Sequence, residues 1–246
     1  MTETIARRDD PPVPLLMPVL LSLVAGYLDS YTYLSLFGLF AAQVTGSFVI
    51  AAEFATSDFG IAGKLIAIAA FVTAAAMTAA FCIAARDAHR GLLPWMLGLE
   101  ALLLAIFVGI MLFGPAVRDA RDWHGIVAGV FAAMAMGAQS VVVRLLMKDV
   151  PQTNVMTGNM TQLGIAATEL IMARRRFDHS RHGDTAVREF AQARDRLTTV
   201  SAIAGGFLVG AAAGALAFAT TGLHGALVTV AIVGALALWA LARQER

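Results

Sequence analysis

The sequence predicts an all-α integral membrane protein with about six transmembrane helices, two short broken or re-entrant segments and an inverted two-fold internal repeat. Three observations lead there. The 246 residues are 59% hydrophobic and only 14% charged, with a mean hydropathy of +0.74; a soluble domain carries about 25% charged residues. Residues 65–85, 101–117, 197–223 and 225–242 contain no Asp, Glu, Lys or Arg, and about 20 apolar residues suffice to cross a bilayer. Finally, two polar Thr-Gly stretches, QVTGS at 43–47 and TNVMTGNMTQ at 153–162, interrupt otherwise apolar sequence.

Residues 1–14, charged and then proline-rich, read as a mobile cytoplasmic arm. The apolar segment after them runs on into Gly26 and Asp29, so no cleavable signal peptide is expected. Apolar runs and turn signals place helices at about 15–38, 62–86, 92–114, 123–148, 197–220 and 223–243. Between them, 44–57 is too short to cross comfortably, and 154–173 is unusually polar. Both read as broken or re-entrant half-helices. Cys82, the only cysteine, excludes an internal disulfide and reads as a small buried hydrophobe. The net charge of +1 points to neither nucleic acid nor an acidic partner.

The repeat rests on spacing. Gly46 follows Gly26 by 20 residues, and Gly158 follows Gly137 by 21. Ala70, Ala74 and Thr78 then lie 24, 28 and 32 after Gly46, while Gly206, Gly210 and Gly214 lie 48, 52 and 56 after Gly158. The constant offset of 24 is about the length of a basic insertion at 174–196. Repeat 1 is therefore expected over 15–117 and repeat 2 over 118–246. With six crossings both termini are cytoplasmic, and only Lys64, Arg118 and Arg121 of the Lys and Arg residues lie outside. If the short segments cross fully, Arg86, Arg90, Arg144 and Lys148 lie outside instead. Positive charge separates the two arrangements weakly; the brevity of 44–57 favours six.

The motifs G-x-x-D at Gly26–Asp29, T-G at Thr45–Gly46, M-G-A-Q-S at Met136–Ser140 and M-T-G-N-x-T-Q at Met156–Gln162 resemble those of the YoaK family of small bacterial multi-pass membrane proteins, over about residues 15–242. Ser47 stands where that family's first T-G-N motif carries asparagine. The resemblance implies the architecture and a bacterial inner (cytoplasmic) membrane location; it implies no activity.

An ionised carboxylate at a helix centre costs about 2.5–3.5 kcal/mol on insertion scales, so Asp29 is expected to face the bundle interior. It reads either as a proton- or cation-responsive group or as a protonated tie between helices. A half-helix starting at Thr45 or Thr157 presents free N–H groups and a positive dipole end to the membrane interior. The substrate-binding candidates are Asp29, Gln43, Thr45, Gly46, Gln139, Asn154, Thr157, Gly158, Asn159 and Gln162. The opposing reading makes these groups structural, satisfying broken backbone. Asp29 and Glu100 are candidates for proton or ion coupling, Glu100 with Lys64 as a conceivable partner; Glu53 and Glu169 read as solvated.

Gly206, Gly210 and Gly214 form a small-xxx-small ladder suited to core packing or to a homodimer. Within the insertion, 185–197 has helical spacing suited to the membrane surface. His179 and His182 with Asp178 and Asp184 make a weak metal pattern, and no metal or other cofactor is expected. No HExxH, GxSxG or Cys-His arrangement is present, so an enzyme is not expected. The expected partners are the lipid bilayer and a small solute, with no nucleic acid. The sequence thus reads as a transporter or channel for a small polar or anionic solute. The alternative is a non-transporting assembly or regulatory protein.

Overall fold

In a computed structural model, residues 13–43, 45, 46, 49, 61–85, 91–147, 149–179 and 184–244 are described, and they contain helices and no strands. In chain order the helices are α1 (Leu16–Ser35), α2 (Ile61–Ala84), α3 (Leu92–Phe113), α4 (Trp123–Leu146), α5 (Met156–His179), α6 (Asp184–Thr221) and α7 (Leu227–Gln244). Pro18 and Pro94 sit in the first turns of α1 and α3, where a missing N–H costs no helix bond. Asp122 caps α4, its Oδ1 accepting from the His124 N–H at 3.2 Å. Gly222 takes φ +58° after α6, and a 3-10 turn, Gly222–Ala226, reverses the chain into α7. Four stretches, Ala62–Ala84, Leu92–Phe113, Trp123–Leu146 and Thr185–Gln244, are long and apolar enough to cross a membrane. The last contains both α6 and α7. This is a helical protein of membrane type.

Two parallel helix pairs form the centre, α1 with α6 and α2 with α4. Glycine makes both close. A Cβ on Gly206 would come 2.8 Å from the Val19 carbonyl oxygen, and Cβ atoms on Gly210 and Gly214 would overlap the carbonyls of Leu23 and Tyr27. In the opposite sense, a Cβ on Gly26 would overlap the Phe207 carbonyl. At the other pair, a Cβ on Gly137 would overlap the Phe71 carbonyl. The small-residue ladder is therefore spent inside the chain, between α1 and α6. The pairs are antiparallel to each other: α1 meets the start of α4 near Leu36 and Gly125, and meets Gln139 near Leu21.

Helices α5 and α6 form an antiparallel hairpin, joined by an Arg196–Glu169 pair at 3.0 Å, an Arg176–Glu189 pair at 3.4 Å and stacked Phe177 and Phe190 rings. This departs from expectation in two ways. Residues 154–173 are not a short fragment, because α5 runs on to His179. The basic insertion is not a loop with a separate surface helix: 185–197 is the first part of α6, which starts 13 residues before the expected 197. The described arginines of the insertion lie on exposed faces while Phe177 and Phe190 stack across the hairpin, so the apolar contacts there extend both helices. Glu169 finds Arg196. Glu53, His182 and most of 44–57 lie outside the described residues, as do the side chains of Asp178, His179 and Asp184.

Where α5 begins sets the depth of the second Thr-Gly pair. Met156 lies 13 residues before Glu169, and Val209 lies 13 after Arg196, so the antiparallel pairing puts Met156 level with Val209. Its neighbour Gly210 packs on Leu23, near the middle of α1.

Two adjacent glycines test the close packing. Gly206→Ala is expected to lower the melting temperature in detergent, because a backbone carbonyl must move; overpacking of this kind costs about 1–3 kcal/mol. A Cβ on Gly205 meets nothing within 4 Å, so Gly205→Ala is expected to be neutral or stabilising by up to about 1 kcal/mol, from helix propensity. Equal effects would contradict the packing. A second test concerns the α4 cap. The backbone N–H of His124 holds the Asp122 carboxyl below the usual carboxylate range. Its contribution to stability is therefore present above the ordinary pKa of about 3.9 and is lost as pH falls through the lowered value. Asp122→Ala is expected to lower the melting temperature at neutral pH and to converge with wild type in strong acid.

Candidate functional site

Both Thr-Gly pairs are approached by chain that leaves a helix and turns back into the bundle. After α1, Phe37 takes a left-handed φ of 53°, and after α4, Asp149 takes one of 57°; they are the only such non-glycine residues among those described. Each returning loop is tied to the helix it left, six residues before the helix end. Asp29 Oδ1 accepts from the Ala42 N–H at 2.6 Å and the Gln43 N–H at 3.3 Å. Asn154 Nδ2 donates to Ser140 Oγ at 2.6 Å, and Ser140 Oγ donates to the Met136 carbonyl at 2.9 Å.

The second loop has further ties. Gln139 Nε2 donates to the Leu21 carbonyl at 3.1 Å and to Thr153 Oγ1 at 2.8 Å. Ser22 Oγ lies 2.9 Å from the Thr153 carbonyl and 2.8 Å from that of Ile203, placing the loop between α1 and α6. Asn159 Nδ2, on the first turns of α5, donates to the Gln152 carbonyl at 2.6 Å. Backbone that leaves regular structure at membrane depth must find partners in protein or line a cavity, and Asp29, Ser22 and Asn159 are such partners.

Between the two returning loops lies a cavity of about 530 Å³, bounded also by α2 and α4. Gln43 and Thr45 border it from the first Thr-Gly segment, and Gln152, Asn154, Met156 and Thr157 from the second. Ser140 and Arg144 of α4 complete the polar lining; Phe71, Ile83, Val141 and Leu145 give it apolar walls. Arg144 is the only charged residue, and there is no carboxylate, among the lining residues described. This volume falls within the range of small-molecule pockets, roughly 300–1,000 Å³.

Of the sequence candidates, Gln43, Thr45, Asn154 and Thr157 are brought together at the cavity. The others are not. Asp29 and Gln139 stand behind it as buried ties to the loops. Asn159 is buried and holds Gln152, while Gly46 seats the Phe40 ring. Gly158 does not border the cavity, and a Cβ there would meet a Val155 methyl at 3.6 Å. Gln162 borders a separate surface cleft with Asp195 and Arg196.

Glu100 is fully buried in α3, and neither carboxylate oxygen has a hydrogen-bond partner among the described residues. Lys64 does not pair with it; it lies by Gly38 and borders a crevice with Asp119 and Asp122, at the far end of α3. Ser140, Arg144 and Gln152 join the cavity unexpectedly. Arg144 sits seven residues after Gly137 on α4, two helical turns along the same side as Ser140 and the cavity; that spacing could have flagged it.

Fold and cavity together define a helical protein of membrane type with a largely apolar pocket, carrying a few polar groups, where two turned-back loops meet. A family model described as "Protein of unknown function (DUF1275)" matches residues 17–240. The chain belongs to that family, which includes the YoaK group. No curated protein and no solved structure matches it.

The loop ties make a stability test. Asn159→Ala leaves the Gln152 carbonyl without its buried donor and is expected to destabilise by about 1–3 kcal/mol. Exposed Thr161 bonds only within its own helix, so Thr161→Ala is expected to shift the melting temperature little. The two melting curves, compared in one detergent, check this.

Proposed function

We propose that the protein is a transporter of a small polar or anionic solute, built as an inverted two-fold repeat with six crossings and bound at the cavity between the two Thr-Gly segments. The observation that carries the reading is that both segments border one cavity. Start points of half-helices at membrane depth, meeting near a repeat axis, are where secondary transporters bind solutes. Arg144 and the free N–H groups at the start of α5 favour negative charge there.

The repeat is supported by paired local features. Gly26 and Gly137 each rest on a phenylalanine carbonyl of the other half; Phe37 and Asp149, which follow them by 11 and 12 residues, share the left-handed turn; Asp29 and Ser140, three residues after each glycine, hold the returning loop. The opposed directions of α1 and α4 make the repeat an inverted one, and the short segments are then re-entrant. Arg144, Arg174–Arg176 and Arg243 share one end of the bundle, and Lys64, Arg118 and Arg121 belong to the other. Positive charge thus favours the first as the cytoplasmic face of the inner membrane, with both termini there.

Proteoliposome uptake of a panel of labelled small carboxylates and amino acids tests the reading. Arg144→Gln is expected to lower uptake of the transported member by about tenfold or more, the loss typical of a charge-assisted hydrogen bond, with melting temperature unchanged. Asp29→Asn keeps an oxygen that can accept from the Ala42 and Gln43 N–H groups, so it is expected to leave uptake nearly unchanged. No uptake of any member, or uptake unaltered in Arg144→Gln, would overturn the proposal and favour a structural role for the Thr-Gly segments.

A further inference from the structure

We infer that a second opening leads to the same cavity from the face opposite Arg144, and that the Phe40 ring closes it in this conformer. The inference rests on the transport reading and on the inverted repeat. In the second half, Arg144 lies seven residues after Gly137, and Gln152 six before Gly158; both border the open cavity. In the first half the same positions, seven after Gly26 and six before Gly46, are Tyr33 and Phe40. Their rings lie 4.9 Å apart, so two packed rings stand where the second half presents Arg144 and Gln152 to the cavity.

Phe40 is seated by a specific gap. A Cβ on Gly46 would come 2.8 Å from the Phe40 ring, so glycine at the first Thr-Gly pair is what admits the ring. At the second pair, a Cβ on Gly158 would meet a Val155 methyl at 3.6 Å, and among the described residues no ring lies within 4 Å of it. The loops otherwise match in their left-handed turn and in their tie to the preceding helix. Because α1 and α4 run in opposite directions, matched clefts face opposite sides of the membrane. Two equivalent clefts, one open and one plugged, are what an inverted repeat adopts when only one side has access. Withdrawal of Phe40 from Gly46 and Tyr33 opens the path to Thr45 from the second face.

The path is tested without a solute. Thr45→Cys is placed in a Cys82→Ala background, and oriented proteoliposomes are treated with a membrane-impermeant maleimide from each face in turn. Labelling is expected from the Arg144 face and, more slowly, from the opposite face. Adding Phe40→Ala is expected to speed labelling from the opposite face by about two- to tenfold, the shift available from losing one aromatic contact. Tyr33→Ala removes the other half of that contact and serves if Phe40→Ala does not fold. No labelling from the opposite face, or labelling that neither variant accelerates, overturns the inference. Solute uptake with single-faced labelling also overturns it. Two-faced labelling without uptake of any solute upholds the path and overturns the transport reading.

Discussion

The constraint on which this structure depends is that backbone broken at membrane depth must be given partners. Two connections leave their helices and fold back inward, and each brings unpaired N–H and C=O groups with it. Left bare in hydrocarbon, every such group costs several kcal/mol. The sequence meets the cost with side chains on the helices themselves: Asp29 accepts from N–H groups of the first loop, and Ser22 and Asn159 donate to carbonyls of the second, while Gln139 and Ser140 hold that loop through its Thr153 and Asn154 side chains. That so many polar residues sit in apolar helices follows from this need before any function is considered. Function enters with the polar groups left over, which border a cavity.

The glycine contacts are the other half of the same design. Returning loops fit inside a bundle only if the helices around them are packed tightly elsewhere. Carbonyl-to-glycine contact brings α1 against α6 and α2 against α4 at backbone distance. In lipid, where burial of apolar side chains gains little between helices, such close van der Waals packing is the main source of helix association. The tight α2–α4 pair forms a wall of the cavity, which lies where those two helices meet the returning loops.

The periodicity and charge of the sequence were enough to place the apolar helices to within a few residues at most ends. The Thr-Gly spacing was enough to bring Gln43, Thr45, Asn154 and Thr157 to one place. Other features were less legible for physical reasons. The extension of α5 and α6 through the insertion was hidden because its arginines suggest a solvated loop, while the Phe177–Phe190 stacking and the Glu169–Arg196 pair that hold it are contacts between distant positions. Asp29 and Gln139 look like site residues from sequence, since a polar group in an apolar run reads the same whether it faces solute or backbone. Only the hydrogen bonds to Ala42, Gln43, Leu21 and Thr153 separate the two. Arg144 escaped notice for the converse reason: a cation near a helix end reads as a topology anchor.

The polar groups spared from holding the backbone and the cavity they border are the point on which everything else turns. Its most direct measurement is a high-resolution cryo-electron microscopy map in a lipid nanodisc, read between Gln43 and Asn154. Ordered water or a small polar molecule bonded to Arg144, Thr45 or Thr157 is the result expected of a solute site. An acyl chain filling the space, or closure of the loops on each other, would contradict it.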